Sequence, residues 1–292
     1  MLDDLTVKPL TSAVHWRAGE ANLTMLSDGY FEMPIENFVT NVPFQDALAV
    51  QHQELRVPQE RIDVNAYLVR STKHGPILID AGFGGGIMPS LGRLPAGLQG
   101  IHVPLESIET ILLTHLHGDH CGGLIDSAGL ALFPNAEIVV HASEYNYWLE
   151  DGHGNLVDPN GAQHARRALK PYEHRIRMIH QATEVAPDIF SVPLPGHTPG
   201  HTGYKIGSGR DAILVWGDIV HLPYIQTALP HAGVITDSDP ELAVKTRHEI
   251  LDRASAEALL VAGMHTEFPS IFRVKRHGEA YSLIPAHWMQ NQ

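Results

Sequence analysis

One cysteine among 292 residues, Cys121, excludes an internal disulfide framework and any thiolate-rich zinc knuckle. Basic residues are scarce too: 20 Lys and Arg stand against 33 Asp and Glu, a formal charge of -13. No run of Lys or Arg forms a stripe that would neutralise phosphates, so nucleic acid is not an expected partner. Long apolar runs are missing. The opening MLDDLTVKPLTSAVHW has no apolar segment of signal-peptide length, and no later stretch would span a bilayer, so the expectation is a cytoplasmic protein without membrane contact. No linker, low-complexity tract or fixed-period repeat divides the chain, which reads as one domain over 1–292 with 1–21 as an N-terminal extension. What the chain has in excess is histidine, 20 residues of it.

The apolar pattern alternates strands and helices from end to end. NLTMLSDGYFEM (22–33) reads as a β-hairpin turning at Ser27-Asp28-Gly29. The stretch from Asn37 to Arg61, with Pro43 and Pro58, reads as a loop that serves as a homodimer contact or as a lid. VNAYLV and GPILIDAGFGGG give two further strands, the second ending in glycines that allow close backbone approach. ETILLTH is a strand, GGLIDSAGLAL a helix, IVVHASEYNYWLE a strand running into a helix, and RRALKPYEHRIRMI an exposed helix. IFSVPLPGH, GHTGYKIG, AILVWGD and ALLVAGMH are strands, three of which end at a His or Asp. Asp239 is placed to cap a helix that carries Pro240 in its first turn and runs to about Ala256.

The residues ILLTHLHGDHCGG (111–123) end an apolar run in His115, His117, Asp119 and His120. Side chains two apart on a strand share a face, so His115 and His117 point at one place. Gly118 breaks the strand, and the turn that follows aims Asp119 and His120 at a neighbouring place. That suggests two metal positions, each in need of more ligands, since zinc takes about four and binds imidazole and carboxylate readily. His197, Asp218 and His265 follow later apolar strands in the same way. A lone His at a strand end is usually a hydrogen-bonded structural residue, but seven such groups in one pattern carry a different weight.

HLHGDH, GHTPGH, GD and the late His, in that order, resemble the metallo-β-lactamase superfamily of binuclear hydrolases, and the motifs span residues 115 to 265. The resemblance implies an α/β (α+β) fold, the four-layer αββα sandwich of two mixed sheets flanked by helices, with the site at one edge. It implies that His115, His117 and His197 hold one metal, that Asp119, His120 and His265 hold the other, and that Asp218 bridges them. Two divalent ions, zinc by ligand type with Mn, Fe or Co as alternatives, would then share and acidify a water and polarise a carbonyl or phosphoryl oxygen. Asp80, in ILIDAGFG, matches a position that supports the ligands from behind. Cys121 reads as a packed thiol. His141, His153, His164, His174, His180 and His248, among charged residues, read as solvated, and AGFGGG, which lacks a P-loop Lys or a dinucleotide spacing, reads as a turn near the metals.

SDGYFEMP, VNAYLV, ILIDAGFG, GHTPGHTGY, GDIVH and AGMHTEFPS resemble the lactonase branch, especially proteins similar to methyl parathion hydrolase. Homoserine-lactone lactonases commonly carry a tyrosine three residues after the bridging aspartate, where this chain has His221. The expected substrate is thus a small lactone or aryl ester, with phosphotriesters as incidental substrates. Asp119, Asp218 and His221 are the candidate catalytic residues, and Phe38, Trp148, Tyr224 and Phe268 the candidate pocket walls. The rival readings are a thioester hydrolase like glyoxalase II, with Arg273, Lys275 and Arg276 receiving glutathione, and a non-catalytic sensor or scaffold stabilised by metal.

Overall fold

Residues 66–69 show why the strands read as near-continuous apolar runs. Ala66 and Leu68 pack to one side of their strand and Tyr67 and Val69 to the other, all of them buried. A strand apolar on both faces needs a layer on each side. The computed structural model, which describes residues 13–57, 59–150, 153–269 and 271–287, supplies those layers.

The first sheet has seven strands in chain order: Ala13–Ala18, Ala21–Pro34, Gln59–Arg70, Ile77–Ile79, Thr110–Leu112, Glu137–His141 and Ile176–Ile179. Its pairs are antiparallel as far as Ile77–Ile79 and parallel from there on. The second sheet, also of seven strands, runs Ala280–Pro285, Phe272–His277, Leu260–Ala262, Ile213–Val215, Thr202–Ile206, Ile189–Pro193, Glu184–Ala186. Only Ile213–Val215 and Leu260–Ala262 pair in parallel there. Leu23, Met25, Ile79 and Leu112 of one sheet meet Ile189, Tyr204, Ile213 and Val215 of the other in a common core, where each large side chain contributes roughly 1.5–3 kcal/mol. Helix Pro159–Leu169 covers the outer face of the first sheet through Ala162, Ala165 and Leu169, and helix Pro240–Ala256 covers the second through Ile250 and Leu251. Two mixed sheets between helical layers are the sandwich expected from the sequence.

Several local expectations fail for identifiable reasons. Ser27-Asp28-Gly29 is no hairpin turn: Ala21–Pro34 is one 14-residue strand whose register against Gln59–Arg70 slips between Ser27 and Gly29. This is a β-bulge. Gly29 has φ +127, and a Cβ on it would lie 1.8 Å from the Ser90 carbonyl oxygen. Residues 37–61 are not a plain loop, because helix Phe44–Gln53 starts just after Pro43 and buries Ala47 and Gln51 one turn apart. The helix expected over 122–132 stops after a single turn, Gly122–Leu124, since the Asp126 carboxylate accepts the N–H groups of Ala128 and Leu130 at 2.9 Å and folds the chain back. Of RRALKPYEHRIRMI only the first part is helical; Ile176–Ile179 is the edge strand, tied by Arg177 to Glu137 at 2.8 Å. The Asp239 cap is present, accepting the Leu242 N–H at 3.0 Å. Within the segment read as an N-terminal extension, Ala13–Ala18 forms the first edge strand, and residues 1–12 lie outside the described residues. No helix among the described residues is long and apolar enough to cross a membrane.

At one edge of the sandwich the sheets are laced together. Tyr204 Oη donates to the Leu113 carbonyl at 2.9 Å and Tyr67 Oη to that of Gly263 at 2.7 Å. Asn65 Nδ2 donates to the carbonyls of Met264 and Thr266 at 2.9 and 2.8 Å. These bonds fix the loops that follow Thr110–Leu112 and Leu260–Ala262, the loops that carry the candidate ligands.

Candidate metal centre

All seven candidate ligands converge at that edge. The strand ends at Leu112, yet the extended residues after it bring His115 Nε2 to 3.0 Å from His117 Nδ1. His197, from the loop after Ile189–Pro193, places its Nε2 2.9 Å from the same His117 Nδ1. The helical turn Gly118–Cys121 presents Asp119 and His120; His120 Nε2 lies 3.6 Å from Asp119 Oδ1, and His265 Nε2 lies 3.5 Å from Asp119 Oδ2. Between the two groups sits Asp218. Its Oδ2 is 3.0 Å from His265 Nε2, 3.1 Å from His120 Nε2 and from His221 Nε2, 3.6 Å from His197 Nε2 and 3.7 Å from His115 Nε2.

The outward nitrogens settle which way the lone pairs face. His120 Nδ1 meets Asp80 Oδ2 at 2.7 Å, His197 Nδ1 meets Asp237 Oδ1 at 3.0 Å and His265 Nδ1 meets the Asp63 carbonyl at 2.8 Å. His115 Nδ1 meets Thr114 Oγ1 at 3.0 Å, whose proton goes on to Asp80 Oδ2 at 2.7 Å. Each acceptor receives a hydrogen bond from Nδ1–H, which aims Nε2 inward. Imidazole nitrogens and carboxylate oxygens are thereby gathered within about 3 Å of one another, a crowding that a shared divalent cation relieves. His120 Nε2 and Asp218 Oδ1 are buried with no hydrogen-bond partner. The sets His115–His117–His197 and Asp119–His120–His265 each bring their ligand atoms within 4.8 Å of one another. The donors fit divalent metal.

Charge separates the two sets. Burial holds His115 and His197 well below the usual imidazole range and His117 down to about 4, so these three rings are neutral. Burial acts on His120 and His265 in the same sense but is outweighed by the carboxylates around them, Asp218 foremost, and both stand above the usual value. Burial would raise Asp218; the imidazoles of His120, His265, His221 and His115 reverse this and keep it ionised.

The cleft over these donors has a volume of about 270 Å³. Phe31, Met33, Phe38 and Phe83 form an apolar side, Asp158, Asn160, His164 and Thr236 a polar one, and no Lys or Arg is among the described residues that line it. Of the expected walls only Phe38 is there. Trp148 is buried behind His117 and donates to Glu144 at 2.7 Å; Tyr224 bonds Arg56 and Glu267; Phe268 packs between the sheets. Phe83 comes from the glycine-rich loop, and His164, read as solvated, lines the rim. Cys121 is a buried thiol in the core, raised by desolvation. His141 accepts the Ser143 N–H, His174 and His180 are exposed, His248 is half-buried, and the His153 side chain lies outside those described.

Two buried carboxylates escaped sequence reasoning. Glu144 accepts the Leu116 N–H at 2.9 Å and the Gly200 N–H at 3.1 Å, joining the loop of His115 and His117 to that of His197. Asp237 orients His197. Neither belongs to a local motif.

The family model of the metallo-β-lactamase superfamily matches residues 60–265. The chain belongs to that superfamily. An uncharacterised protein, YobT, of Bacillus subtilis is 28% identical over 218 residues, which is 71% of this chain and 86% of that protein. An N-acyl homoserine lactonase of a Bacillus species is 29% identical over 215 residues, 65% of this chain and 76% of that enzyme. Among solved metallo-β-lactamase folds, the hydrolase AbOPH superposes with a TM-score of 0.87 at 28% identity, covering 97% of this chain and 100% of that one. AidC, a dizinc quorum-quenching lactonase, superposes with a TM-score of 0.88 at 24% identity over 96% and 99% of the two chains, a likeness of fold.

Proposed function

We propose that the protein is a binuclear metal-dependent hydrolase that opens lactones or cleaves compact aryl esters, with phosphotriesters as incidental substrates. His115, His117 and His197 would hold one ion and Asp119, His120 and His265 the second, with Asp218 available to both sets. Bound there, divalent ions supply Lewis acidity for a carbonyl oxygen and a water acidic enough to attack it near neutral pH. Asp218, kept ionised, holds the nucleophilic side of the site in place. His221 lines the cleft beside it, where its ring would be placed to share a proton with an oxygen of a bound substrate. Asp80, Asp237 and the Asp63 carbonyl keep each ligand ring from turning.

The observation that carries the substrate class is the cleft: aromatic and apolar on one side, with the carboxylates of Asp119, Asp158 and Asp218 and, among the described residues, no Lys or Arg on the rest. It suits an uncharged ester. An anionic glutathione thioester is not favoured, because Arg273, Lys275 and Arg276 lie on strand Phe272–His277 outside the cleft, with Arg273 bonded to the Ala258 carbonyl and Arg276 to Asp252. The relative that hydrolyses N-acyl homoserine lactones supports a lactone substrate. The test is hydrolysis by purified, metal-quantified protein of dihydrocoumarin, an aryl ester, an acyl-homoserine lactone, a phosphotriester and S-lactoylglutathione. Turnover of lactone or aryl ester with two metals per chain is the expected result; turnover of the thioester alone would overturn it.

A further inference from the structure

The motif PLPGHTPGH contains a second histidine, His201, that the ligand set does not use. It is 1% exposed and lies under the donor cluster, its ring centroid 5.3 Å from that of His115 and 5.8 Å from that of His197. Its Nδ1 is 2.8 Å from the Leu194 carbonyl, and the backbone N–H of Asp218 donates to its Nε2 at 2.8 Å. A carbonyl only accepts, so Nδ1 carries the proton; a backbone N–H only donates, so Nε2 is a bare lone pair. The ring is thus neutral, in one tautomer, with both nitrogens used.

We propose that His201 is the positioning residue for Asp218: its Nε2 holds the Asp218 backbone so that the carboxylate sits between the two ligand groups. The proposal rests on the reading of Asp218 as the residue between two metals. The local backbone turns tightly against the ring. Gly217 has φ +59, and a Cβ there would lie 2.3 Å from His201 Nε2, so the chain presses directly against the imidazole. Asp218 follows with φ -101 and ψ 22, outside helical geometry, within the short turn Gly217–Ile219. One hydrogen bond therefore selects the direction in which the Asp218 side chain leaves the backbone. The same imidazole reaches Leu194, ahead of the His197 loop, so it also links the chain segments that carry two of the ligands.

Two substitutions separate the two bonds. His201→Gln keeps an acceptor at about the reach of Nε2, whereas His201→Asn keeps a donor for Leu194 and loses the acceptor for Asp218. Zinc affinity is read by competition with a chromophoric chelator, together with the melting temperature of the metal-free proteins. The expected result is zinc affinity lower by about 10–100-fold in His201→Asn and nearly unchanged in His201→Gln, with similar metal-free melting temperatures. Equal zinc affinity in both variants and wild type, with affinity lost in an Asp218→Ala control, overturns the proposal and leaves the ligand reading standing. Unchanged zinc affinity in the control as well overturns both. A measurement on the unmodified, zinc-loaded protein needs no variant to fold: long-range nitrogen–proton NMR of the His201 ring should show Nδ1 protonated and Nε2 bare, and a proton on Nε2 overturns the assignment.

Discussion

Glu144 and Asp218 are buried to the same degree, 0% and 2% exposed, within the same part of the fold, and their surroundings are opposite. Glu144 receives donors on both oxygens: Leu116 N–H and Trp148 Nε1–H on Oε1, Gly200 N–H on Oε2. Asp218 faces five imidazole nitrogens with Oδ2 and nothing with Oδ1. Burial leaves Glu144 above the usual carboxylate range, whereas the imidazoles hold Asp218 far below it. Desolvation alone does not mark a functional acid. What marks it is the kind of partner: Glu144 is satisfied by neutral donors of the protein itself, while Asp218 sits among imidazoles whose ligand atoms gather with its own as a metal site would need.

That contrast predicts opposite failures. Asp218→Ala should lower hydrolysis at least a thousandfold, about 4 kcal/mol, and lower metal content, while the melting temperature of the chelator-treated protein stays close to that of chelator-treated wild type. Glu144→Ala should destabilise the metal-free protein by about 3 kcal/mol in urea titration, because it strands two backbone N–H groups and an indole N–H in the core. A stable Glu144→Ala protein, or an Asp218→Ala protein that keeps both metals and activity, would erase the distinction.

Asp28 offers an intermediate case. It is 0% exposed and accepts from Phe83 N–H and Leu94 N–H at 2.9 Å and Gly92 N–H at 3.2 Å, pinning the loop that brings Phe83 to the cleft. Desolvation nevertheless outweighs these bonds and pushes it from 3.8 up to about 6. The folded state then binds the proton more tightly than the unfolded chain. The stability gained is full below about pH 4 and is lost as the pH rises through about 6. Relative to Asp28→Asn, wild type should lose on the order of 3 kcal/mol of unfolding free energy between pH 4 and pH 7, read by urea melts across that range. A difference independent of pH would mean that the backbone donors keep Asp28 ionised, which would place it with Asp218.

The seven donors were legible because each follows an apolar run and the types are distinctive: a chain seldom ends buried strands in His and Asp without a use for them. The sandwich was legible for a related reason, since strands buried on both faces need layers on both sides. Glu144, Asp237 and the Asp63 carbonyl were not, because each meets its partner across 28, 40 and 202 residues and carries no local signature. The Ser27-Asp28-Gly29 turn failed because the residues that suit a hairpin also suit a bulge, and only the register of the neighbouring strand decides. Phe38 was placed at the cleft from its chemistry alone, yet Phe31 and Met33 lie on the same long strand and were hidden by the false hairpin. His201 lay in plain view within a motif whose first histidine drew the attention.

The smallest effect concerns His221, where the comparison is finest. Its Nε2 is as close to Asp218 Oδ2 as that of His120, its ring stacks on His265 at 5.1 Å, and Phe38 meets it edge-on at 5.8 Å. Among the described residues no acceptor takes its outward nitrogen, Nδ1, which is buried, in contrast to the rings of His120, His197 and His265. A ring not anchored from behind is poorly suited to holding a metal and better suited to sharing a proton with an oxygen in the cleft. His221→Phe keeps the stacking surface and removes the nitrogens, so kcat should fall about tenfold, roughly 1.4 kcal/mol, with two metals retained and KM little changed. Loss of one metal equivalent instead would make His221 a ligand in the company of His197 and Asp218, whose ligand atoms lie within 4.8 Å of its own.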